Sequence, residues 1–177
     1  MNKKDTVVFD LDGTLLDTLE DLKNSVNYAM TQCGYPEHTL DEVRRYVGNG
    51  ILLLMQRAIP EGKNDPNFDK AFTLFKEHYG KHCNDTTKPY AGIMELLHTL
   101  KENNIKIAIV SNKADFAVKE LNAIYFKDLI LVAIGEKESE GIRKKPAPDT
   151  VIEALKQLGS TAENSVYIGD SDVDIET

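Results

Sequence analysis

The sequence has 177 residues, 29 of them acidic and 21 basic, with a formal net charge of −8 at pH 7. At 41% hydrophobic and 28% charged residues it has the usage of an ordinary folded protein, which excludes disorder of the whole chain. The acidic balance argues against life on nucleic acid or anionic lipid, since both need a basic face, but it leaves room for a small anionic substrate met by a local positive site.

Met1-Asn2-Lys3-Lys4-Asp5 is a basic start, yet the apolar run behind it, Val7-Val8-Phe9, is cut by Asp10 and is too short for a signal peptide. The longest apolar stretch, Leu129 to Ile134, suits a buried strand and not a membrane span. A cytoplasmic protein is expected, with Cys33 and Cys83 as reduced, buried thiols. Thr6 to Phe9 reads as a buried strand ending at Asp10. Leu19, Leu22, Val26, Ala29, Met30 and Cys33 fall on one helical face, and Gly34 stops it. Thr39 and Glu42 have capping-box spacing for a helix towards Tyr46, which Gly48-Asn49-Gly50 breaks. Ile51 to Ile59 is a third helix. Asp65-Pro66 starts a fourth, with a stripe of Phe68, Phe72, Phe75 and Tyr79 that reads as packing rather than a cofactor box. His78 and His82, at i and i+4, read as a solvated helix end, because no further ligands stand nearby.

The pattern then changes. Helices over Ile93–Leu100, Phe116–Ile124 and Asp149–Leu158 alternate with strands over Ile105–Val110, Leu129–Ile134 (stopped by Gly135) and Ser165–Ile168. Such alternation implies βαβ units and a parallel sheet. The expected architecture is α/β: a three-layer, Rossmann-like parallel sheet core made by residues 1–16 and 86–177, with an all-helical cap, residues 17–85, inserted after the first strand. Four parallel strands are expected, the last of them at or near an edge. The helix opened near Asp172 is met by Ile175-Glu176-Thr177, so the core reads as incomplete at its C-terminal side.

Ligands of open parallel sheets bind outside the carboxyl ends of the strands. Those ends carry Asp10-Leu11-Asp12-Gly13-Thr14, Ser111-Asn112-Lys113 and Gly169-Asp170-Ser171-Asp172-Val173-Asp174, with Arg143-Lys144-Lys145 before Pro146. Crowded carboxylates must hold protons or share a cation, and oxygen ligands suit a hard one such as Mg²⁺. A metal and a lysine together suit phosphoryl transfer, in which Asp10 could serve as nucleophile.

Asp10-Leu11-Asp12-Gly13-Thr14, Ser111-Asn112, Lys145-Pro146 and Gly169-Asp170 through Asp174 resemble, in order, the four motifs of the haloacid dehalogenase superfamily. Tyr46-Val47-Gly48-Asn49-Gly50 with Arg57-Ala58, Tyr90-Ala91-Gly92-Ile93 and Ser111-Asn112-Lys113 resemble its phosphoglycolate-phosphatase branch, which has a small helical cap. The resemblance implies that Asp10 is nucleophile and metal ligand. It implies that Asp12 is general acid and base and binds metal through its backbone carbonyl. Ser111, with the backbone around Asn112, would hold the phosphoryl group, Lys145 would neutralise it, Asp170 would bind Mg²⁺, and Asp174 would support the metal's water shell. The cap would present Gly48, Asn49 and Gly50 to the organic end of the substrate, with Arg57 as a carboxylate partner guessed from charge alone. The implied activity is Mg²⁺-dependent hydrolysis of a small anionic phosphate ester, most simply 2-phosphoglycolate, through an aspartyl phosphate. The alternatives are a sugar-phosphate mutase or pyrophosphatase of the same superfamily, and a non-catalytic phosphate-binding protein. Neither nucleic acid nor membrane is an expected partner, and the sequence is silent on oligomeric state.

Overall fold

The computed structural model describes residues 4–177; the Met1-Asn2-Lys3 part of the basic start lies outside the described residues. In chain order the elements are β1 (Thr6–Phe9), β2 (Leu16–Asp17), α1 (Leu19–Gln32), α2 (Leu40–Tyr46), α3 (Ile51–Ala58), α4 (Phe68–His82), β3 (Lys88–Pro89), α5 (Ile93–Glu102), β4 (Lys106–Ala114), α6 (Asp115–Tyr125), β5 (Val132–Glu136), α7 (Asp149–Leu158), β6 (Ser165–Ile168) and α8 (Asp172–Glu176). They fall into two compact units. One holds the chain up to Leu16 and from Pro89 onward; the other is Asp17–Lys88.

The first unit is built on a four-stranded parallel sheet in the order β5-β4-β1-β6, so the expected four strands are present and β6 lies at an edge. Its two faces are read from the pleat, since successive side chains of a strand point to opposite sides. Phe9, Ile107 and Ile109 face one way and pack with Leu97 of α5 and Val118 and Leu121 of α6. Val8, Ala108 and Val110 face the other way and pack with Ala154 and Leu155 of α7. Helix, sheet and helix make the three layers. β1 pairs with β4 from Thr6↔Lys106 to Phe9↔Ile109, and with β6 from Thr6↔Ser165 to Phe9↔Ile168. This register sets Asp10 and Gly169, just past the ends of β1 and β6, at the level of Val110, from which β4 runs on to Ala114.

The second unit is α-helical with its own core, in which Leu22, Val26 and Met30 of α1 meet Leu54 and Met55 of α3 and Phe68, Phe75 and Tyr79 of α4. The aromatic stripe is packing, as its spacing predicts. α2 begins with a formed capping box: Glu42 N–H donates to Thr39 Oγ1 at 3.3 Å and Thr39 N–H donates to Glu42 Oε2 at 2.8 Å. Asp21, buried on α1, closes the unit by accepting hydrogen bonds from the backbone and hydroxyl groups of both Thr86 and Thr87 at 2.6–3.1 Å.

Three local readings are corrected. The strand assigned to Leu129–Ile134 is displaced: β5 runs from Val132 through Gly135 to Glu136, and the chain before it is a turn that leaves Leu131 84% exposed. Continuous apolarity does not locate a strand within its own length. Asp65-Pro66 does not open α4. Asn67 is the N-cap, and Asp65 ties the preceding turn by accepting from Asn67 N–H at 2.8 Å and from Tyr35 Oη at 2.6 Å. Neither cysteine is in a disulfide, and only Cys83 is buried; Cys33, at the end of α1, is half-buried. No helix among the described residues is long and apolar enough to cross a membrane.

Candidate active site

β1 delivers Asp10 at its carboxyl end, and Asp10 N–H continues the ladder by donating to Ile168 O at 2.8 Å. The chain turns at once through Asp12 and Gly13. Gly13 has φ +83°, and a Cβ there would lie 2.3 Å from the Asp170 carboxylate. Gly169 plays the same part opposite: a Cβ on it would lie 2.2 Å from the Asp174 carboxyl carbon. The two glycines thus make the space in which two carboxylates sit.

Lys145, buried and directly before Pro146, stands at the centre. Its Nζ is 3.0 Å from Asp10 Oδ1, 2.6 Å from Asp174 Oδ1 and 2.8 Å from Tyr167 Oη. It donates hydrogen bonds to Asp174 and Tyr167 and meets Asp10 as an ion pair. Tyr167 Oη donates in turn to Asp174 Oδ1 at 3.0 Å, while Asp174 Oδ2 accepts from Ser171 N–H at 3.0 Å and from Ser171 Oγ at 2.6 Å. Both oxygens of Asp174 are therefore engaged in fixing Lys145 and the start of α8. Asp170 accepts from Thr14 Oγ1 at 3.2 Å. On β4, Ser111 and Asn112 are buried; Asn112 Nδ2 donates to Lys145 O at 3.0 Å, and Lys113 N–H donates to Ser111 Oγ at 3.3 Å. Lys113 itself is buried, with its Nζ 2.9 Å from Asp12 Oδ1.

Electrostatics follow from this crowding. Burial pushes the Asp10 carboxyl up to about 6, helped by the charges of Asp174 and Asp12 and opposed by Lys145. Burial, with Asp174 beside it, also raises Asp170, against the hydrogen bond from Thr14. For Asp174 burial acts upward as well, but the bonds from Lys145 and Ser171 outweigh it and hold that carboxyl below the usual range. Burial and the neighbouring carboxylates keep the Tyr167 phenol protonated.

Oxygens of Asp10, Asp170 and Asp174 lie within 4.8 Å of one another. Four carboxylates, of Asp10, Asp12, Asp170 and Asp174, meet two ammonium groups, of Lys113 and Lys145. The surplus of two negative charges and the all-oxygen donor set fit one hard divalent cation. With Asp174 occupied by Lys145 and Ser171, Asp10 and Asp170 are the side chains left to hold it.

The structure thus brings Asp10, Asp12, Ser111, Asn112, Lys145, Asp170 and Asp174 to one sheet edge. Gly48, Asn49, Gly50 and Arg57 belong to the helical unit, where Arg57 donates to Tyr46 O at 2.8 Å and to Asn49 Oδ1 at 2.9 Å. In this structure the Arg57 guanidinium spans the loop between α2 and α3. His78 and His82 stack on each other at 4.3 Å, with Tyr28 stacked on His78 and Asp85 accepting from His82, an arrangement of rings and not of converging ligands. Sequence reasoning missed Tyr167 and the role of Lys113 as a partner. Tyr167 lies on β6, two residues before Gly169, on the face that packs against α7.

A family model for haloacid dehalogenase-like hydrolases matches residues 7–177. A phosphoglycolate phosphatase of Aquifex aeolicus is 33% identical over 174 residues, covering 96% of this chain and 78% of that protein. One from Pseudomonas putida is 30% identical over 176 residues, covering 96% of this chain and 64% of that protein, so the chain spans less than two thirds of that relative's length. A solved structure described as a candidate phosphoglycolate phosphatase, from Lactobacillus delbrueckii subsp. bulgaricus, superposes with a TM-score of 0.92 at 35% identity, covering 98% of this chain and 81% of that one. The chain belongs to the haloacid dehalogenase-like hydrolases, in the branch that holds these phosphatases. It is a phosphatase of that family.

Proposed function

We propose that the chain hydrolyses a small organic phosphate monoester, most simply 2-phosphoglycolate, with Asp10 as nucleophile and Mg²⁺ as cofactor. The observation that carries this reading is the placement of Lys145 between Asp10 and Asp174. A carboxylate can approach a phosphate dianion only where the repulsion is cancelled, and here the nucleophile has a fixed ammonium 3.0 Å away.

Asp10 and Asp170, with the backbone carbonyl of Asp12, would hold Mg²⁺, which when bound supplies further neutralisation of the phosphoryl oxygens. The remaining work falls to the chain's own groups. Ser111 Oγ and the backbone around Asn112 bind and orient the phosphoryl group beside Lys145. An oxygen of Asp10 attacks phosphorus while the ester P–O bond breaks, and Asp12, entering this step as the carboxylic acid with a proton taken from solvent, gives that proton to the departing alkoxide. Asp12, now a carboxylate, takes a proton from a water that attacks the aspartyl phosphate. Phosphorus–oxygen cleavage then frees inorganic phosphate and restores Asp10. Tyr167 and Ser171 act through Asp174 to keep Lys145 in place.

The test is release of inorganic phosphate from a panel holding 2-phosphoglycolate, sugar phosphates and pyrophosphate, with Mg²⁺ and with a chelator. Turnover of 2-phosphoglycolate is expected with Mg²⁺, none in chelator, and none for Asp10→Asn in either condition. An Asp10→Asn variant that retained full Mg²⁺-dependent activity would overturn the nucleophile assignment. Transfer of phosphate between sugar positions without release would favour a mutase, and release from pyrophosphate alone would remove the organic ester as substrate.

A further inference from the structure

We propose that Lys113 is a positioning residue for Asp12, holding the acid and base of the reaction apart from the nucleophile's own lysine. This inference rests on the role given to Asp12 above. Lys113 is the third residue of the Ser111-Asn112-Lys113 run at the end of β4, where pairing with β5 becomes irregular between Val110 and Ala114. Its side chain is only 3% exposed, and Asp12, which it meets at 2.9 Å, is 16% exposed.

A buried ammonium is costly unless a carboxylate compensates it, so a lysine is kept at such a place only with its partner. The pairing also sorts the site. Lys145 Nζ stands within 3.0 Å of Asp10, Asp174 and Tyr167, and Asp12 is absent from that set. The two carboxylates of the Asp10-Leu11-Asp12 turn are therefore served by two different lysines from two different segments. The Lys113 contact ties the Asp12 carboxylate, at the start of the Gly13 turn, to the end of β4. The expected consequence is geometric: proton delivery to the leaving oxygen depends on Lys113, and phosphoryl binding does not.

General acid catalysis matters in proportion to how poorly the alcohol leaves, which supplies a readout that a merely structural role would not move. The second-order constant kcat/KM extends to departure of the alcohol and is measured for 2-phosphoglycolate, an alkyl ester, and for 4-nitrophenyl phosphate, whose phenolate leaves without a proton. Lys113→Met is expected to lower kcat/KM for the alkyl ester by about 10–100-fold and for the aryl ester by less than about 3-fold. Lys113→Arg is expected to recover part of the loss. In an Asp12→Asn background, Lys113→Met is expected to cost nothing further, because the group it positions is gone. Equal losses on both esters, or losses that add to those of Asp12→Asn, overturn the proposal and make Lys113 a residue of fold or binding. Should Lys113→Met fail to unfold cooperatively, Lys113→Gln is held to the same comparison. If Asp12→Asn itself shows no dependence on the leaving group, the assignment of Asp12 falls, and Lys113's role falls with it. If the parent chain turns over neither ester, the phosphatase reading is the one that fails.

Discussion

Asp10 carries the sharpest tension at the scale of single residues. In its proposed role as nucleophile it must be ionised, yet burial pushes this carboxyl up to about 6 from an ordinary value near 3.8. The native state therefore keeps its proton over a window in which the unfolded chain has already lost it. Stability then falls as pH rises from about 4 to about 6 and stays reduced above. In chelator, Asp10→Asn is expected to be more stable than the parent at pH 7.5, by on the order of 1–3 kcal/mol, with the gain vanishing at pH 4. Urea unfolding at both pH values checks it; a variant no more stable at pH 7.5 would mean that Lys145 fully compensates the buried charge. The sequence made the residues with local patterns legible at this scale, since Asp10 ends the apolar run Val7-Val8-Phe9 and Asp12, Asp170 and Lys145 each sit beside a glycine or proline. Tyr167 and the pairing of Lys113 were not legible, because what defines them is a partner more than 20 residues away in the chain, Lys145 for one and Asp12 for the other.

Elements show the same division between local and distant causes. The capping box of α2 and the faces of α1 and α4 depend on spacings within one or two turns, and the chain's pattern announces them. Asp21 shows the opposite case. Nothing near it in sequence says that an acidic residue of a helix's first turn will be buried, yet it ties down Thr86 and Thr87 some 65 residues later. Burial acts to raise its carboxyl, but the hydroxyl and backbone donors of the two threonines outweigh this and hold it below the usual range. A depressed carboxyl contributes stability that is present above its unfolded value and lost as pH falls through its folded one. Asp21→Asn is expected to destabilise the helical unit at pH 7 by about 1.5–3 kcal/mol, the worth of hydrogen bonds to a charged group. The difference from the parent should close towards pH 2. Thermal unfolding followed by circular dichroism measures it, and a difference constant with pH would show that the carboxylate's charge is irrelevant there. The displaced strand β5 failed for a related reason: only pairing with β4 decides which part of an apolar run joins the sheet.

At the scale of the whole molecule the chain has separate cores, one built around Phe75 in the helical unit and two on the faces of the sheet. Separate cores allow separate cooperative transitions. Phe75, fully buried, anchors the helical core, and its truncation to alanine is expected to remove about 3–5 kcal/mol from that unit. Hydrogen exchange is expected to speed up in α1, α3 and α4 while β1 and β4 keep their protection. Uniform loss of protection across both units would show that they unfold as one. In the sequence the helical faces of the second unit recur every three to four residues over long segments, whereas the buried strands of the first are short apolar runs between helices.

The glycines at 13 and 169 carry a consequence for how the protein tolerates change. Each leaves a void the size of a methyl group, and each void is filled by a carboxylate of another residue. Neither glycine has a side chain to bind metal, phosphate or proton, so an inventory of functional groups passes over both. Yet the smallest mutation chemistry allows, one carbon added, must shift a carboxylate of the site off its mark. In the language of mutational tolerance the site's footprint is wider than its chemistry, because part of the proposed machinery is written as places where atoms must not be.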